Sequence, residues 1–288
     1  MSPSACCLDD DDVDARARVP LPADARGTIC RGGIGSWLVL VPGTPSSPAR
    51  PADDDLPCRA AAAPFLINGF SLHRVPLPAW TNAGGRIYKA VLSSTPDSPR
   101  ATCVVAAMTV SRGTVAVCQP GKTPPPFAWT SVTFAFDIED IAFHKGDLYL
   151  LDSSEHLRRV DVRELVGGRL CIQHCGVEAV GHDKINATRR YLVELDGTLL
   201  LVRRSTYVPY LRGVVGDVSS LLSLRHDYDG VGERRQWVPL PAGVTLNDGR
   251  FLVVGNTCCG SFPAVRPLDR RKVCFVGGRV SWVTIVNN

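Results

Sequence analysis

The residues best suited to chemistry are three carboxylates in the middle of the chain, Glu139, Asp140 and Asp152. Carboxylates act as general acids, general bases or metal ligands when several of them converge on one cavity. These three lie at the ends of an apolar segment. If the fold has a central channel, they could reach it, and equally each could close a turn. The sequence leaves both interpretations open at this point.

Nucleophilic catalysis needs a serine or cysteine on a strained turn, with a histidine and a carboxylate nearby. The sequence contains no Gly-x-Ser-x-Gly motif. His144 stands beside Lys145 at the tip of a predicted hairpin, and we expect it to be a solvated turn residue. His156 and His226 lie near charged residues and are predicted to be on the surface. We therefore predict that the chain is not an enzyme and has no catalytic residues.

Cysteines and histidines suggest zinc, but their spacing does not fit a structural zinc site. The candidate ligands are Cys171, His174, Cys175, His182, Cys258, Cys259 and Cys274. Structural zinc is usually held by two Cys-x2–4-Cys knuckles. One Cys-x3-Cys with a distant vicinal pair is a weak match, because adjacent cysteines on a strand point to opposite faces. We predict no metal and no cofactor, and we expect most of the eleven cysteines to be small buried thiols.

Residues 120–123, Pro-Gly-Lys-Thr, resemble the end of a phosphate-binding loop. Such a loop needs another glycine five residues before Gly121 and a helix after it. Ala116 occupies the first position, inside a predicted strand, and three prolines follow the motif. We interpret this segment as a proline-rich turn.

The carboxylates and His144 belong to a predicted strand–turn–strand unit at residues 140–152. Apolar and polar residues alternate up to His144, and residues 148–151 form a continuous apolar run, which predicts a strand covered on both faces. Gly146 tolerates the positive φ that a two-residue hairpin turn requires. The segment therefore predicts a tight β-hairpin.

The same unit, a glycine turn followed by a dense apolar strand, recurs along the chain. The turn glycines are Gly35, Gly113, Gly146, Gly197, Gly249 and, as a weaker case, Gly278. Asn68-Gly69 is a further hairpin signal, and residues 127–136 are predicted to hold a short strand pair. Only residues 162–166 and 215–222 leave room for a short helix.

Short strands with frequent turns predict an all-β sandwich, barrel or propeller. The irregular repeat, at roughly 30–50 residues, favours a kelch-like β-propeller of about five or six blades. Two stacked sandwiches are the alternative.

Composition predicts one large globular domain. The chain has 288 residues, of which 45% are hydrophobic and 21% charged. The acidic residues 1–25 are predicted to be a disordered or loose lead-in, and residues 26–288 the single domain. The net charge of +4 comes without a basic block interleaved with aromatics, so we expect no nucleic-acid partner.

Targeting signals are not evident in the sequence. Residues 1–14 lack the basic and apolar regions of a signal peptide, and no apolar run is long enough to span a membrane. We predict a cytoplasmic or nuclear protein with reduced thiols.

Ten segments in one order carry a resemblance to a known family. They are residues 36–39, 65–68, 74–78, 89–94, 117–121, 139–152, 191–194, 199–204, 256–264 and 273–275. Together they resemble the plant KIB-type β-propeller family, F-box/kelch-like proteins formerly grouped under a domain of unknown function. The resemblance extends from about residue 26 to residue 276.

The resemblance implies a kelch-like propeller that recognises the substrate of a ubiquitin ligase, joined to an F-box that engages a Skp-type adaptor. An F-box needs a helical segment opened by a Leu-Pro pair; Leu21-Pro22 is present, but the first predicted strand follows by Trp37. We therefore predict a non-catalytic protein-interaction module without the F-box. Its protein partner is unknown, and no Skp-type adaptor, nucleic acid or membrane is expected. The alternatives are a propeller enzyme with a central-channel site and a degenerate truncated paralogue.

Overall fold

The computed structural model describes 21 strands and one short helix. The described residues are 22, 25, 27–43, 63–81, 85–99, 101–121, 128–166, 169, 171–175, 177–178, 187–195, 197–207, 216–228, 233–239, 250–255, 259–263, 272–277 and 279–284. Most of the predicted lead-in and the predicted turns at Gly249 and Gly278 lie outside these residues.

The first two sheets are antiparallel and are built from strands in chain order. The first contains β1 (Thr28–Ile34), β2 (Trp37–Pro42), β3 (Phe65–Asn68) and β4 (Arg74–Pro76). The second contains β5 (Ile87–Leu92), β6 (Val105–Thr109), β7 (Thr114–Cys118) and β8 (Thr130–Thr133).

In the third and fourth sheets the four main strands also lie side by side in chain order. The third contains β9 (Ile138–His144), β10 (Asp147–Asp152), β11 (Leu157–Val160) and, after helix α1 (Val162–Val166), β12 (Ile172–His174). The fourth contains β14 (Ala187–Leu195), β15 (Thr198–Tyr207), β16 (Gly216–Tyr228) and β17 (Glu233–Pro239), with β13 (Val177–Glu178) added parallel to β17.

The fifth sheet in the described part of the chain has a different order. From one edge to the other it contains β19 (Cys259–Pro263), β18 (Arg250–Gly255), β20 (Lys272–Gly277) and β21 (Arg279–Thr284). Strands β18 and β20 pair in parallel, whereas the other two pairs are antiparallel.

The sheets pack against one another through their first strands. Strand β1 packs on β5, β5 on β9, and β9 on β14, which also contacts β19. We call β1, β5, β9 and β14 the inner strands. Successive small antiparallel sheets joined in this way are the arrangement of blades in a β-propeller, whose inner strands surround a central channel.

The hydrophobic core lies between the sheets, and strand β10 contributes residues to it from both of its faces. Leu148 and Leu150 pack into the cluster between the second and third sheets, with Met108 and Val117. Leu151, on the opposite face, packs into the cluster between the third and fourth sheets. Because side chains alternate along a strand, a strand covered on both faces needs apolar residues at every position.

The predicted hairpin at residues 140–152 is confirmed. Strands β9 and β10 are joined by Lys145 and Gly146, which have φ values of 50° and 88°. Positive φ at both turn positions matches the right-handed twist of the flanking strands. Gly146 adopts this conformation freely, whereas Lys145 adopts it against the preference of an L-residue.

Three local predictions have different outcomes. The short helix at residues 162–166 is confirmed as α1, which Asp161 caps by accepting hydrogen bonds from the backbone N–H groups of Arg163 (2.9 Å) and Glu164 (3.3 Å). The helix allowed at residues 215–222 is wrong, because this segment pairs with β15 along its length as part of β16. The strand pair predicted at residues 127–136 is also wrong, since β8 is a single strand paired with β7.

In the part of the chain that the structure describes, no helix has the length and apolar character needed to cross a membrane.

Candidate functional site

Three of the inner strands carry a β-bulge. The pairing of β1 with β2 skips Arg31, the pairing of β5 with β6 skips Tyr88, and the pairing of β9 with β10 skips Glu139. A bulge leaves one extra residue unpaired and redirects its side chain, and bulges are common beside functional sites. We call Arg31, Tyr88 and Glu139 the bulge residues.

The bulge residues are half-buried, and in β5 and β9 they stand in strands that are otherwise mostly buried. Tyr88 lies between Ile87 and Lys89, which are both buried, and Glu139 lies between Ile138 and Asp140, which are also buried. Arg31 is half-buried in the corresponding bulge of β1. In β5 and β9 the bulge therefore places one large polar or aromatic side chain outside the packed interior, whereas most residues of β1 are themselves exposed or half-buried.

The residue after each bulge joins one inner strand to the next. A Cβ at Gly32 would collide with the backbone carbonyl of Ala90, so β1 and β5 approach as closely as a glycine allows. Lys89 and Asp140 form a buried salt bridge from β5 to β9, with 2.6 Å between Nζ and Oδ1. Asp140 Oδ2 also accepts a hydrogen bond of 2.7 Å from the backbone N–H of Leu192 on β14.

Asp140 is therefore a structural link between three strands. Its Oδ1 accepts a further hydrogen bond of 2.9 Å from the backbone N–H of Ile141. Burial raises the pKa of the Asp140 carboxyl, while the Lys89 ammonium and the two backbone N–H groups act in the opposite direction. Both oxygens therefore accept hydrogen bonds from within the protein, and the side chain is buried.

Glu139 belongs to a second ionic network, between the third and fourth sheets. Its Oε2 accepts a hydrogen bond of 3.2 Å from Arg190 Nη1, and Arg190 Nε donates to Glu155 at 2.8 Å. Arg203 donates to both carboxylate oxygens of Glu155, one of them at 2.7 Å from Nε. Burial raises the pKa of Glu139, and the Arg190 charge opposes that rise.

Asp152 closes the turn between β10 and β11. Its Oδ1 accepts hydrogen bonds of 2.9 Å from the backbone N–H groups of Ser154 and His156, and its Oδ2 accepts one of 2.7 Å from Arg158. Burial raises the pKa of Asp152, but the Arg158 and His156 hydrogen bonds outweigh burial, and the pKa is lowered. Of the two interpretations left open by the sequence, closure of a turn applies to Asp152, whereas Glu139 and Asp140 lie within β9 and form ion pairs with Arg190 and Lys89.

A groove lies on another part of the surface, between the first and second sheets. Its cavity of about 470 Å³ is lined by Val75 on β4, by Pro120 and Gly121 after β7, and by six residues of the β5–β6 loop: Pro96, Ser98, Pro99, Ala101, Thr102 and Cys103. Apart from Cys103, no lining residue carries an ionisable side chain. Of the segment 120–123, predicted to be a turn rather than a phosphate loop, Pro120 and Gly121 lie in a turn, while residues 122 and 123 lie outside the described residues. Ala116 lies inside β7.

Beside this groove, the β3–β4 turn exposes Phe70 and Leu72. The Phe70 residue is 71% exposed. Asn68 Oδ1 accepts hydrogen bonds from the backbone N–H groups of Phe70 (2.9 Å) and Ser71 (3.1 Å), which fix the turn. His73 packs edge-on against Trp37, with ring centroids 5.7 Å apart.

The turn and the groove are neighbours. Asp97 lies in the β5–β6 loop between two groove residues. It is close enough to His73 for the His73 charge to contribute to the lowered pKa of the Asp97 carboxyl. A hydrogen bond from Thr95 is the main reason why the pKa of the Asp97 carboxyl is lowered. We call Phe70, Leu72 and the adjoining groove the turn–loop surface.

The prediction that His144 is a solvated turn residue is wrong. The residue is only 5% exposed, and its ring packs edge-on against Tyr149, with centroids 5.9 Å apart. The two-residue turn is so short that His144 remains inside the strand pair, opposite Asp147. His156 is half-exposed beside Asp152, as predicted, and the His226 side chain lies outside the described part.

The described zinc candidates do not share one environment. Cys171 and His174 are exposed, whereas Cys175 is buried. His182, Cys258 and the side chains of Cys259 and Cys274 lie outside the described part. Cys103 and Cys118 are buried, as predicted for small thiols, but Cys30 and Cys171 are exposed.

Sequence reasoning missed the bulge residues, although a signal existed. Tyr88-Lys89 and Glu139-Asp140 each place two successive non-aliphatic residues inside an apolar strand. In a regular strand such a pair would direct one side chain to each packed face, and a bulge removes that conflict.

Comparison with known proteins gives one family match. A family model described as KIB1-4 beta-propeller matches residues 7–276. No curated protein matches the chain. The match, with the antiparallel sheets, confirms the predicted β-propeller and the predicted family.

Two solved structures show weak similarity. The N-terminal domain of Nup159 has a TM-score of 0.38 at 8% identity, over 75% of this chain and 48% of that one. This chain thus spans about half the length of that structure. A structure from S. cerevisiae of Dbp5 bound to Nup159, Gle1, IP6 and ADP has a TM-score of 0.40 at 8% identity, over 87% and 71% of the two chains.

Proposed function

Since the chain belongs to the KIB1-4 β-propeller family, we propose that it is a non-catalytic protein-interaction module that binds a partner protein through the turn–loop surface. The observation that carries the proposal is the exposed Phe70 beside an open groove. By its resemblance to F-box/kelch-like proteins, its role is to recognise a protein target.

The turn–loop surface has the properties of a binding surface. Large aromatic side chains are enriched at the centres of protein interfaces, where they fill pockets on the partner. The hydrogen bonds that Asn68 Oδ1 accepts hold the β3–β4 turn in one conformation, so little entropy is lost when Phe70 is buried by a partner. The groove beside it can accept a side chain of the partner in return.

The chemistry of the groove supports binding over catalysis. Its single ionisable residue is Cys103, and burial raises the pKa of that thiol to about 11. A thiol with so high a pKa is protonated at neutral pH and is a poor nucleophile. The carboxylates Glu139, Asp140 and Asp152 are bound to Arg190, Lys89 and Arg158 away from the groove.

Affinity capture with matched variants tests the proposal. The tagged chain, its Phe70→Ala variant and its Ile172→Ala variant are each incubated with extract, and captured proteins are identified after cross-linking. Ile172 is the control because it is also an exposed apolar residue, on β12. We expect Phe70→Ala to lose a specific partner by about tenfold or more, as for an interface hot spot, with Ile172→Ala unchanged. Equal capture by both variants, with equal melting temperatures, would overturn the proposed surface.

A further inference from the structure

Three arginines surround the bulge residue Tyr88. Arg31 is the bulge residue of the adjacent inner strand, and Arg86 immediately precedes β5. The Arg112 guanidinium lies over the Tyr88 ring, 5.8 Å from its centroid. The backbone N–H of Val110, in the same turn as Arg112, donates a hydrogen bond of 2.9 Å to the carbonyl of Arg86. Positive side chains from β1, from the residue before β5 and from the β6–β7 turn therefore lie near one another.

Two of these arginines have no carboxylate partner within the described part of the chain. No salt bridge joins Arg31 or Arg112 to an acidic residue there, and Arg31 Nε is buried without a hydrogen-bond acceptor. Burial, and next the nearby Arg86 charge, lower the pKa of Arg31. Glu139 is near enough for the Arg112 charge to oppose the rise in its pKa, but the Glu139 carboxylate is bonded to Arg190.

The backbone holds these side chains in place at an energetic cost. Arg112 has a φ of 58°, a left-handed conformation that a non-glycine residue adopts unfavourably. Its carbonyl accepts a hydrogen bond of 2.7 Å from the backbone N–H of Ile138, which fixes the turn to the start of β9. Arg31 and Tyr88 are each redirected by a bulge. Strained and bulged backbone at three adjoining positions is typical of a binding site.

We infer that Arg31, Arg86 and Arg112, with Tyr88 between them, bind an acidic segment of a partner protein. Guanidinium groups pair with Asp and Glu carboxylates through two parallel hydrogen bonds, which compensate for the repulsion between the arginines. The exposed side chains of Ile29, on β1, and Val110 favour a segment that also carries apolar residues. This arginine site rests on the proposed function, because it assumes a protein partner, and it is a second surface distinct from the turn–loop surface.

Fluorescence anisotropy tests the arginine site directly. The probe is a fluorescein-labelled peptide of sequence Asp-Glu-Val-Asp-Glu-Val, and the control peptide has Asn and Gln in place of Asp and Glu. We expect the full chain to bind only the acidic peptide, and more weakly as salt is raised. Arg31→Gln and Arg112→Gly should each weaken binding by about tenfold or more, since a charge-assisted hydrogen bond is lost.

Two variants control for folding and for net charge. Arg112→Gly removes the charge and also relieves the positive φ, so it is expected to fold at least as stably as the wild type. Arg159→Gln removes one charge from β11, where Arg159 pairs with Asp147, and should leave peptide binding unchanged. Equal weakening by Arg159→Gln, or equal binding of the neutral peptide, would overturn the inference. Displacement of the peptide by an equal concentration of inorganic phosphate would overturn it in favour of a small-anion site.

The two experiments separate this inference from the proposed function. If the wild type binds no acidic peptide but Phe70→Ala loses its partner, the arginine site is wrong and the proposed turn–loop surface stands. If peptide binding depends on Arg31 while capture does not depend on Phe70, the arginine site stands and the turn–loop surface is wrong.

Discussion

At the scale of single residues, Asp140 carries a side chain that is common in active sites, but here it links three strands. It receives the Lys89 ammonium and two backbone N–H groups while buried among three inner strands. The sequence placed Asp140 at the end of a strand and allowed either role. It could not identify Lys89, 51 residues earlier, as the partner, because that pairing depends on how two sheets pack.

The buried pair predicts a non-additive effect on stability. Replacing Asp140 by Asn, or Lys89 by Met, should each lower the free energy of unfolding by about 3–5 kcal/mol, because each leaves one buried charge unpaired. The double variant should lose clearly less than the sum of the two. Urea denaturation of all four proteins measures the coupling, and strictly additive losses would show that the two groups do not interact.

Asp152 predicts a dependence of stability on pH. Its pKa is lowered in the folded chain, so the carboxylate stabilises the fold above its unfolded pKa and this contribution is lost as the pH falls through the folded pKa. Asp152→Asn should therefore cost on the order of 1 kcal/mol at neutral pH. The difference from the wild type should shrink as the pH falls below about 4, the ordinary pKa of an aspartate in the unfolded chain. Thermal unfolding at several pH values checks this, and a difference that does not vary with pH would contradict it.

At the scale of elements, the two strands and the turn of the β9–β10 hairpin were predictable, because its turn glycine and dense second strand are local signals. The bulges were not predicted, since a bulge is defined by the partner strand it fails to match. His144 was misassigned for a related reason: its sequence neighbours are polar, but Tyr149 on the paired strand covers it. The segment at 216–228 became a strand because β15 and β17 flank it on both sides.

Substitutions at two glycines distinguish the stability cost of close packing from that of backbone strain. Gly32→Ala places a Cβ against the Ala90 carbonyl and should cost about 2 kcal/mol or more, because two backbones must move apart. Gly146→Ala meets no atom within 4 Å but requires a positive φ, so it should cost only about 1 kcal/mol. Urea denaturation compares them. A larger loss for Gly146→Ala would mean that β1 and β5 can separate easily.

At the scale of the whole molecule, repetition made the fold predictable but gave no indication of the two proposed binding surfaces. Recurring turn glycines and apolar strands indicated a propeller, and the resemblance at ten segments indicated the family. The turn–loop surface joins residues near 70 with residues near 100, and the arginine site joins Arg31, Arg86 and Arg112. Neither grouping has a constant spacing in the sequence, because each depends on contact between different sheets.

Because each sheet contacts mainly its neighbours, damage at one contact should remain local. Glu155 is fully buried and accepts hydrogen bonds from Arg190 on β14 and Arg203 on β15. Glu155→Gln should leave both arginines short of charge compensation and increase amide hydrogen exchange in β14 and β15 well above that in β2 and β3. Exchange measured by mass spectrometry checks this, and an even increase across all sheets would show global rather than local loosening.

The residues that follow the three bulges also have a consequence for assembly. Gly32 meets a carbonyl, Lys89 meets a carboxylate, and Asp140 meets a backbone N–H, so equivalent backbone positions make a different kind of contact at each junction. A chain of similar blades is at risk of docking a blade against the wrong neighbour while it folds. Contacts that are mutually incompatible exclude such misassembly, since a glycine cannot replace a lysine opposite Asp140. The order of the blades is thus encoded chemically, as well as by the connectivity of the chain.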